Sequence, residues 1–312
     1  MKIGLIDVDG HNFPNLALMK ISAYHKLKGD SVEWCVPLLH YDIVYQSKVF
    51  SNTYSPDITF TPQADKIIKG GTGYAIETIN GNEVYNPELN PTLPEEIEHQ
   101  YPDYSLYPEM TKDTAYGYLT RGCPRGCHFC IVAQKEGRCS NKVANLSEFW
   151  NGQKNIKLLD PNILACKENN KLLLQLVDSN ANVDFTQGVD ARLLNETNID
   201  LINQIKLKNI HFVWDYMKDT EFVLKGLEMY SKCAARKPHG HFGAVYILCN
   251  YDTTMEENLY RIYTLRNLGY DPYVMIYNKP SAPKEIKDLQ RWCNNKIIFR
   301  SCDDFDNYMV KD

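Results

Sequence analysis

Residues 121–130 read Arg121-Gly122-Cys123-Pro124-Arg125-Gly126-Cys127-His128-Phe129-Cys130. Three cysteines stand in a C-x3-C-x2-C spacing, and two glycines and a proline make the stretch too tight for helix or strand. Thiolates this close can hold three corners of a cubic iron-sulfur cluster, and no fourth cysteine follows at a matching short interval. One iron is then open to a ligand, whereas a cluster that only transfers electrons usually has four thiolates. Arg121 and Arg125 favour thiolate over thiol. Zinc is the alternative, but structural zinc normally takes four ligands, and His128 would have to bend back from between two cysteines.

With Phe129 as the aromatic residue, C-x3-C-x-aromatic-C resembles the motif of the radical S-adenosylmethionine (radical SAM) enzymes. The resemblance implies a 4Fe-4S cluster on Cys123, Cys127 and Cys130, with SAM chelating the open iron. It implies reductive cleavage of SAM to a deoxyadenosyl radical acting on a substrate that the motif does not identify. It also implies an external electron donor such as flavodoxin or ferredoxin, and Phe129 shielding the cluster from water.

The chain of 312 residues has a formal net charge of -5, which does not indicate a nucleic-acid surface. No apolar run approaches about 18 residues, so no membrane span is expected, and Asp7 and Asp9 interrupt the first apolar run, so no signal peptide is expected. Ten cysteines without export signals suggest the reducing cytoplasm. The seven outside the motif read as small buried hydrophobes, with a second cluster involving Cys293 and Cys302 as the alternative.

The fold class read from the sequence is α/β, with a small Rossmann-like module at 1–78, a proline-rich linker at 79–112 and a partial (β/α)6 TIM-type barrel at 113–312. The first module reads as strands at Lys2 to Asp7, Ser31 to Val36, Tyr41 to Val49 and Lys66 to Lys69, with a helix at Asn15 to Lys28. Asp9-Gly10-His11-Asn12-Phe13-Pro14 resembles the D-x-H-x-x-G motif of cobalamin-binding domains, with Pro14 where glycine is expected. Ser47-Lys48-Val49 lies where that family has S-x-L, and Gly70-Gly71 where it has paired glycines. That resemblance implies His11 as lower ligand to cobalt, and Ser47, Gly70 and Gly71 as room for the nucleotide tail. Ser51 to Pro62 shows little helical periodicity, so the helix that would line the tail is expected to be missing.

Pro87, Pro91, Pro94, Pro102 and Pro108, after an Asn80-Gly81 turn, favour an extended linker, which Tyr101, Tyr104 and Tyr107 would tether. Beyond it, strands are read at Thr114 to Thr120, Ile156 to Leu159, Val183 to Phe185, Ile210 to Trp214, Ala244 to Leu248 and Tyr273 to Tyr277, with amphipathic helices between most of them. Reactive groups in such barrels gather at the carboxyl ends of strands. These ends carry Asp160 and Asn162, then Gln187, Asp190 and Arg192, then Asp215, then Cys249, Asn250 and Asp252, then Tyr277 and Asn278. By resemblance, Asp160 and Asn162 lie where SAM's amino group binds, although the usual glycine-glycine-glutamate triplet is absent. Arg192 is the candidate for its carboxylate, and Gln187 and Asp190 for its ribose. His239-Gly240-His241 reads as a solvated turn.

The expectation is a radical SAM enzyme, with cobalamin-assisted methyl transfer as the first subtype. A methylthiotransferase acting on RNA is a lesser alternative, because Cys35 alone cannot build a second N-terminal cluster. A non-catalytic iron-sulfur or zinc protein is the alternative from another class.

Overall fold

The computed structural model describes residues 1–312 except His11, Asn80, Gly81, Pro91, Arg236, Pro238, His239 and 310–312, and the side chain of Asn82. The chain divides into two compact units: residues 1–117, 124–138 and 144–154 make the first, and 118–123, 139–143 and 155–312 the second.

The first unit begins β1 (Lys2–Asp7), α1 (Leu16–Leu27), β2 (Ser31–Trp34), β3 (His40–Ser47) and β4 (Gln63–Gly70). Asn15 caps α1, its side chain accepting from the Leu18 amide. The four strands are parallel, in the order β2-β1-β3-β4. Strand order reverses at β1 and β3, so their carboxyl ends flank the crevice where such sheets bind ligands. Ile3, Leu5, Leu18 and Ile21 form a core between sheet and helix. None of residues 48–62 is helical, in line with the sequence expectation.

Residues 79–112 are not an extended linker. The hairpin of β5 (Ile76–Ile79) and β6 (Asn82–Tyr85) crosses the expected boundary, and α2 (Glu95–Glu98) and α3 (Pro108–Thr111) follow. Pro94 caps α2 and Pro108 opens α3, because a residue with fixed φ and no N–H suits a helix start. The Asn80-Gly81 turn and Pro91 lie outside the described residues. The tyrosines do tether: Tyr104 donates to the Phe149 carbonyl at 2.5 Å, and Tyr101 accepts from Gln153 at 2.7 Å. The unit also holds β7 (Thr114–Gly117) and α4 (Val132–Glu136).

The second unit contains an antiparallel pair, β8 (Thr120–Arg121) and β9 (Asn141–Lys142). It continues through β10 (Asn155–Leu158), α5 (Asn169–Ser179), β11 (Asn182–Val189), α6 (Glu196–Gln204), β12 (Lys206–Val213), α7 (Thr220–Cys233), β13 (Ala244–Cys249), α8 (Met255–Asn267), β14 (Asp271–Ile276), α9 (Lys284–Asn294), α10 (Lys296–Ser301) and α11 (Phe305–Met309). In this unit the strands run β14-β13-β12-β11-β10, all parallel. Neighbours in sequence are neighbours in space, and right-handed crossovers then put the helices on one face. That face carries Ile156, Val183, Phe212, Val245 and Val274, all fully buried. On the other, Tyr273 and Met275 are 41% and 46% exposed.

The expected single strand from Thr114 to Thr120 is two strands. The side chain of Asp160 takes the amides of Leu119 and Thr120, which a continuing ladder would have used.

Candidate metal and cofactor site

The cysteine loop leaves β8 at Arg121, whose guanidinium lies 4.1 Å from the centre of the Tyr118 ring. Gly122 and Gly126 have φ of 86° and 56°, a left-handed backbone that glycine adopts without strain. The Cys130 amide donates to the Cys127 carbonyl at 3.0 Å, closing a turn ahead of α4. Cys123, Cys127, Cys130 and Phe129 are half-buried, and His128 is exposed. Cys123 belongs to the second unit, Cys127 and Cys130 to the first. Among the described residues, no three or more His, Cys, Asp or Glu side chains are gathered into a group that could hold a metal ion. What fits a three-thiolate cluster is the chemistry of the donor set, together with a buried polar atom left without a partner beside Cys123.

That atom is on Asn162. Its Nδ2 lies 3.6 Å from Cys123 Sγ and 3.4 Å from Asp190 Oδ2, and its side chain is buried. Its Oδ1 is buried with no hydrogen-bond partner. An acceptor left so costs about 1–3 kcal/mol, which a ligand's donor would recover. Asp190, also buried, receives a fork from Arg192, Nε at 2.9 Å and Nη2 at 2.8 Å. Arg192 Nη1 is 3.3 Å from Asp219. Asn162, Asp190 and Arg192 are therefore brought together, with Arg192 bound by two carboxylates. Asp219, a residue the strand-end reading missed, completes the set from the turn before α7.

Asp160 is placed differently. It is buried beneath β8, where Oδ1 accepts from the amides of Leu119 (3.1 Å) and Thr120 (2.5 Å) and the Thr120 hydroxyl (2.7 Å). Loss of hydration outweighs these bonds and pushes its pKa up to about 6. Its partners are the backbone of the cysteine loop's own strand. Gln187 is exposed on β11 and outside the network of Asn162, Asp190 and Arg192.

At the carboxyl ends of the later strands, Asn250, Asp252 and Asn278 have φ of 64°, 50° and 46°, and Asn250 Nδ2 donates to the Tyr277 carbonyl at 2.8 Å. Burial pushes the Cys249 thiol up to about 12. Arg261, fully buried, was not anticipated: it donates to the carbonyls of Trp214, Asp215 and Leu248 and so ties the ends of β12 and β13. Its signal was a cation at Asn258, Arg261, Ile262, Leu265 spacing, on the face of α8 that is buried. His241 is half-buried in a bend before β13 and faces Asp271 at 3.8 Å, and His239 lies outside the described residues. Cys139 and Cys233 are exposed, unlike the buried cysteines expected.

At the carboxyl ends of β1 and β3, His11 lies outside the described residues. Ser47 Oγ accepts from Asn15 Nδ2 at 2.8 Å, and Asp7 accepts from the Tyr107 hydroxyl. Asp9 accepts from the amides of Val49 (2.9 Å) and Phe50 (2.6 Å), drawing that loop down. Gly71 has φ of 96°, and a Cβ there would stand 2.3 Å from the Lys48 carbonyl oxygen; Gly70 faces open space. Ser47 and Gly71 are thus occupied by the chain itself. None of the helices is long and apolar enough to cross a membrane, among the described residues.

No protein-family model matches the sequence, and no curated protein matches it.

Proposed function

We propose that the chain is a radical SAM enzyme in which Cys123, Cys127 and Cys130 hold a 4Fe-4S cluster and SAM occupies the open iron. When bound, the cluster supplies the electron that breaks a carbon-sulfur bond of SAM. The observation that carries this reading is the C-x3-C-x2-C loop, with the amide of Asn162 set on Cys123 and its Oδ1 unpartnered and buried. Asn162 Oδ1 would accept from the SAM ammonium, with Asp190 holding the amide in place. Asp160 fixes β8, from which the loop departs. Arg192 steadies Asp190, which leaves the SAM carboxylate to be matched elsewhere.

The helix-free face of the sheet we read as the interior of a partial barrel, where aromatic side chains would exclude water. His211, Tyr246 and Tyr273 line it, with ring centroids 5.0 and 5.6 Å apart. The substrate is unidentified, and an external flavodoxin or ferredoxin would deliver the electron. Cobalamin-assisted methyl transfer rests on the resemblance of the first unit alone: Ser47 Oγ already accepts from Asn15, while Gly70 faces open space.

Anaerobic reconstitution with iron and sulfide, then SAM and dithionite, tests the reading. Deoxyadenosine is expected from the native chain and not from Cys127→Ala. Iron uptake without SAM cleavage would favour the non-catalytic iron-sulfur alternative.

A further inference from the structure

We infer that Asn162 tunes the reduction potential of the cluster by donating an amide N–H to the sulfur of Cys123, an inference that rests on the radical SAM reading. The Nδ2 group faces two acceptors, Cys123 Sγ at 3.6 Å and Asp190 Oδ2 at 3.4 Å. Neither a thiolate nor a carboxylate can donate, so the amide must turn its NH2 towards both. A flipped amide would set Oδ1 against two negative groups.

The orientation is enforced from behind. Arg192 forks onto Asp190 at 2.9 and 2.8 Å and meets Asp219 at 3.3 Å. Behind these side chains, the backbone of α7 at Gly226 comes so close to Ala191 that a Cβ would stand 1.9 Å from its carbonyl oxygen. Asp219, Arg192 and Asp190 are therefore positioning residues, and Asn162 is the group that touches a cluster ligand. Asn162 and Asp190 are 2% and 4% exposed, so little water screens the bond.

Reduction adds negative charge that spreads onto the ligand sulfurs. A donor on one sulfur stabilises the reduced form more than the oxidised form, and so raises the potential. Removing it should make the cluster harder to reduce. Replacing it with a carboxylate should do so further, because a negative charge then faces the sulfur.

The test is redox titration followed by electron paramagnetic resonance on reconstituted full-length protein, without SAM, so that any contact of Asn162 with SAM does not enter. Native chain, Asn162→Ala and Asn162→Asp are compared at matched iron and sulfide content. The expected order of potentials is native above Ala above Asp, with the reduction equilibrium of Asn162→Ala shifted by up to about tenfold, about 59 mV for one electron. The near-isosteric Asp variant decides the matter should the Ala variant fail to fold. Equal potentials in clusters that are fully assembled overturn this inference alone. A native chain that assembles no cluster overturns the underlying reading, and this inference with it.

Discussion

Asp160 is a carboxylate whose environment pulls its pKa both ways, and the outcome fixes a pH dependence. Its hydrogen bonds from Leu119 and Thr120 favour the anion, but burial disfavours it more, leaving the pKa near about 6. In the unfolded chain the group titrates near about 3.9. Between these values the unfolded chain has released a proton that the folded chain keeps, so stability from this group is full below about pH 4 and falls as pH rises to about 6. The loss is on the order of 3 kcal/mol for a shift of about two units. Asp160→Asn should abolish that slope. At neutral pH the substitution should be near neutral or stabilising by up to about 3 kcal/mol, because its single carbonyl oxygen can stand where Oδ1 accepts from Leu119 and Thr120 and no buried charge remains. Urea unfolding of both proteins from pH 4 to 7 checks this; parallel stability curves would show that Asp160 is not the titrating group.

At the scale of elements, Gly226 in the middle of α7 costs helix stability, about 1 kcal/mol against alanine, so its presence needs a packing reason. The reason is the carbonyl of Ala191, which an added Cβ would meet at 1.9 Å. Gly226→Ala should therefore destabilise by about 1–3 kcal/mol despite the better propensity. Gly70→Ala, where a Cβ meets open space and φ is not positive, should be near neutral. Thermal unfolding of the two variants separates packing from propensity; equal transitions would refute the close approach. Such contacts mark the limit of what the sequence shows. The helices α5 to α9 and the strands β10 to β14 were legible, since their apolar residues repeat at helical spacing or form short buried runs between turns. The cysteine loop was legible from spacing alone. The break before Thr120 was not, because a side chain forty residues away takes the amides, and local pattern carries no trace of that. Nor was Asp219 legible as the partner of Arg192, since a strand-end survey does not look at the turn before a helix. Prolines misled at 87–108: they were read as breakers, whereas Pro94 and Pro108 begin helices.

At the scale of the whole molecule, the division at 112/113 expected from proline content differs from the division the contacts make. The first unit takes in residues 124–138 and 144–154 as well as 1–117. Its ties across the expected boundary are specific: His99 meets Glu148 at 2.8 Å, Tyr101 accepts from Gln153, and Tyr104 donates to the Phe149 carbonyl. Phe149 is 3% exposed and Leu146 is 4% exposed, so both are core residues of the first unit. A chain beginning at residue 113 keeps these side chains and loses the segment 99–104 that bonds to them. Loss of the three bonds costs about 0.5–1.5 kcal/mol apiece, together a sizeable part of the margin of an ordinary domain. The fragment 113–312 is therefore expected to be poorly soluble or to unfold at markedly lower urea than the full chain, although it carries every cysteine of the motif and the whole run from β8 to α11. Cooperative unfolding of the fragment at the full-chain midpoint would show instead that 144–154 finds its fold without the first 112 residues.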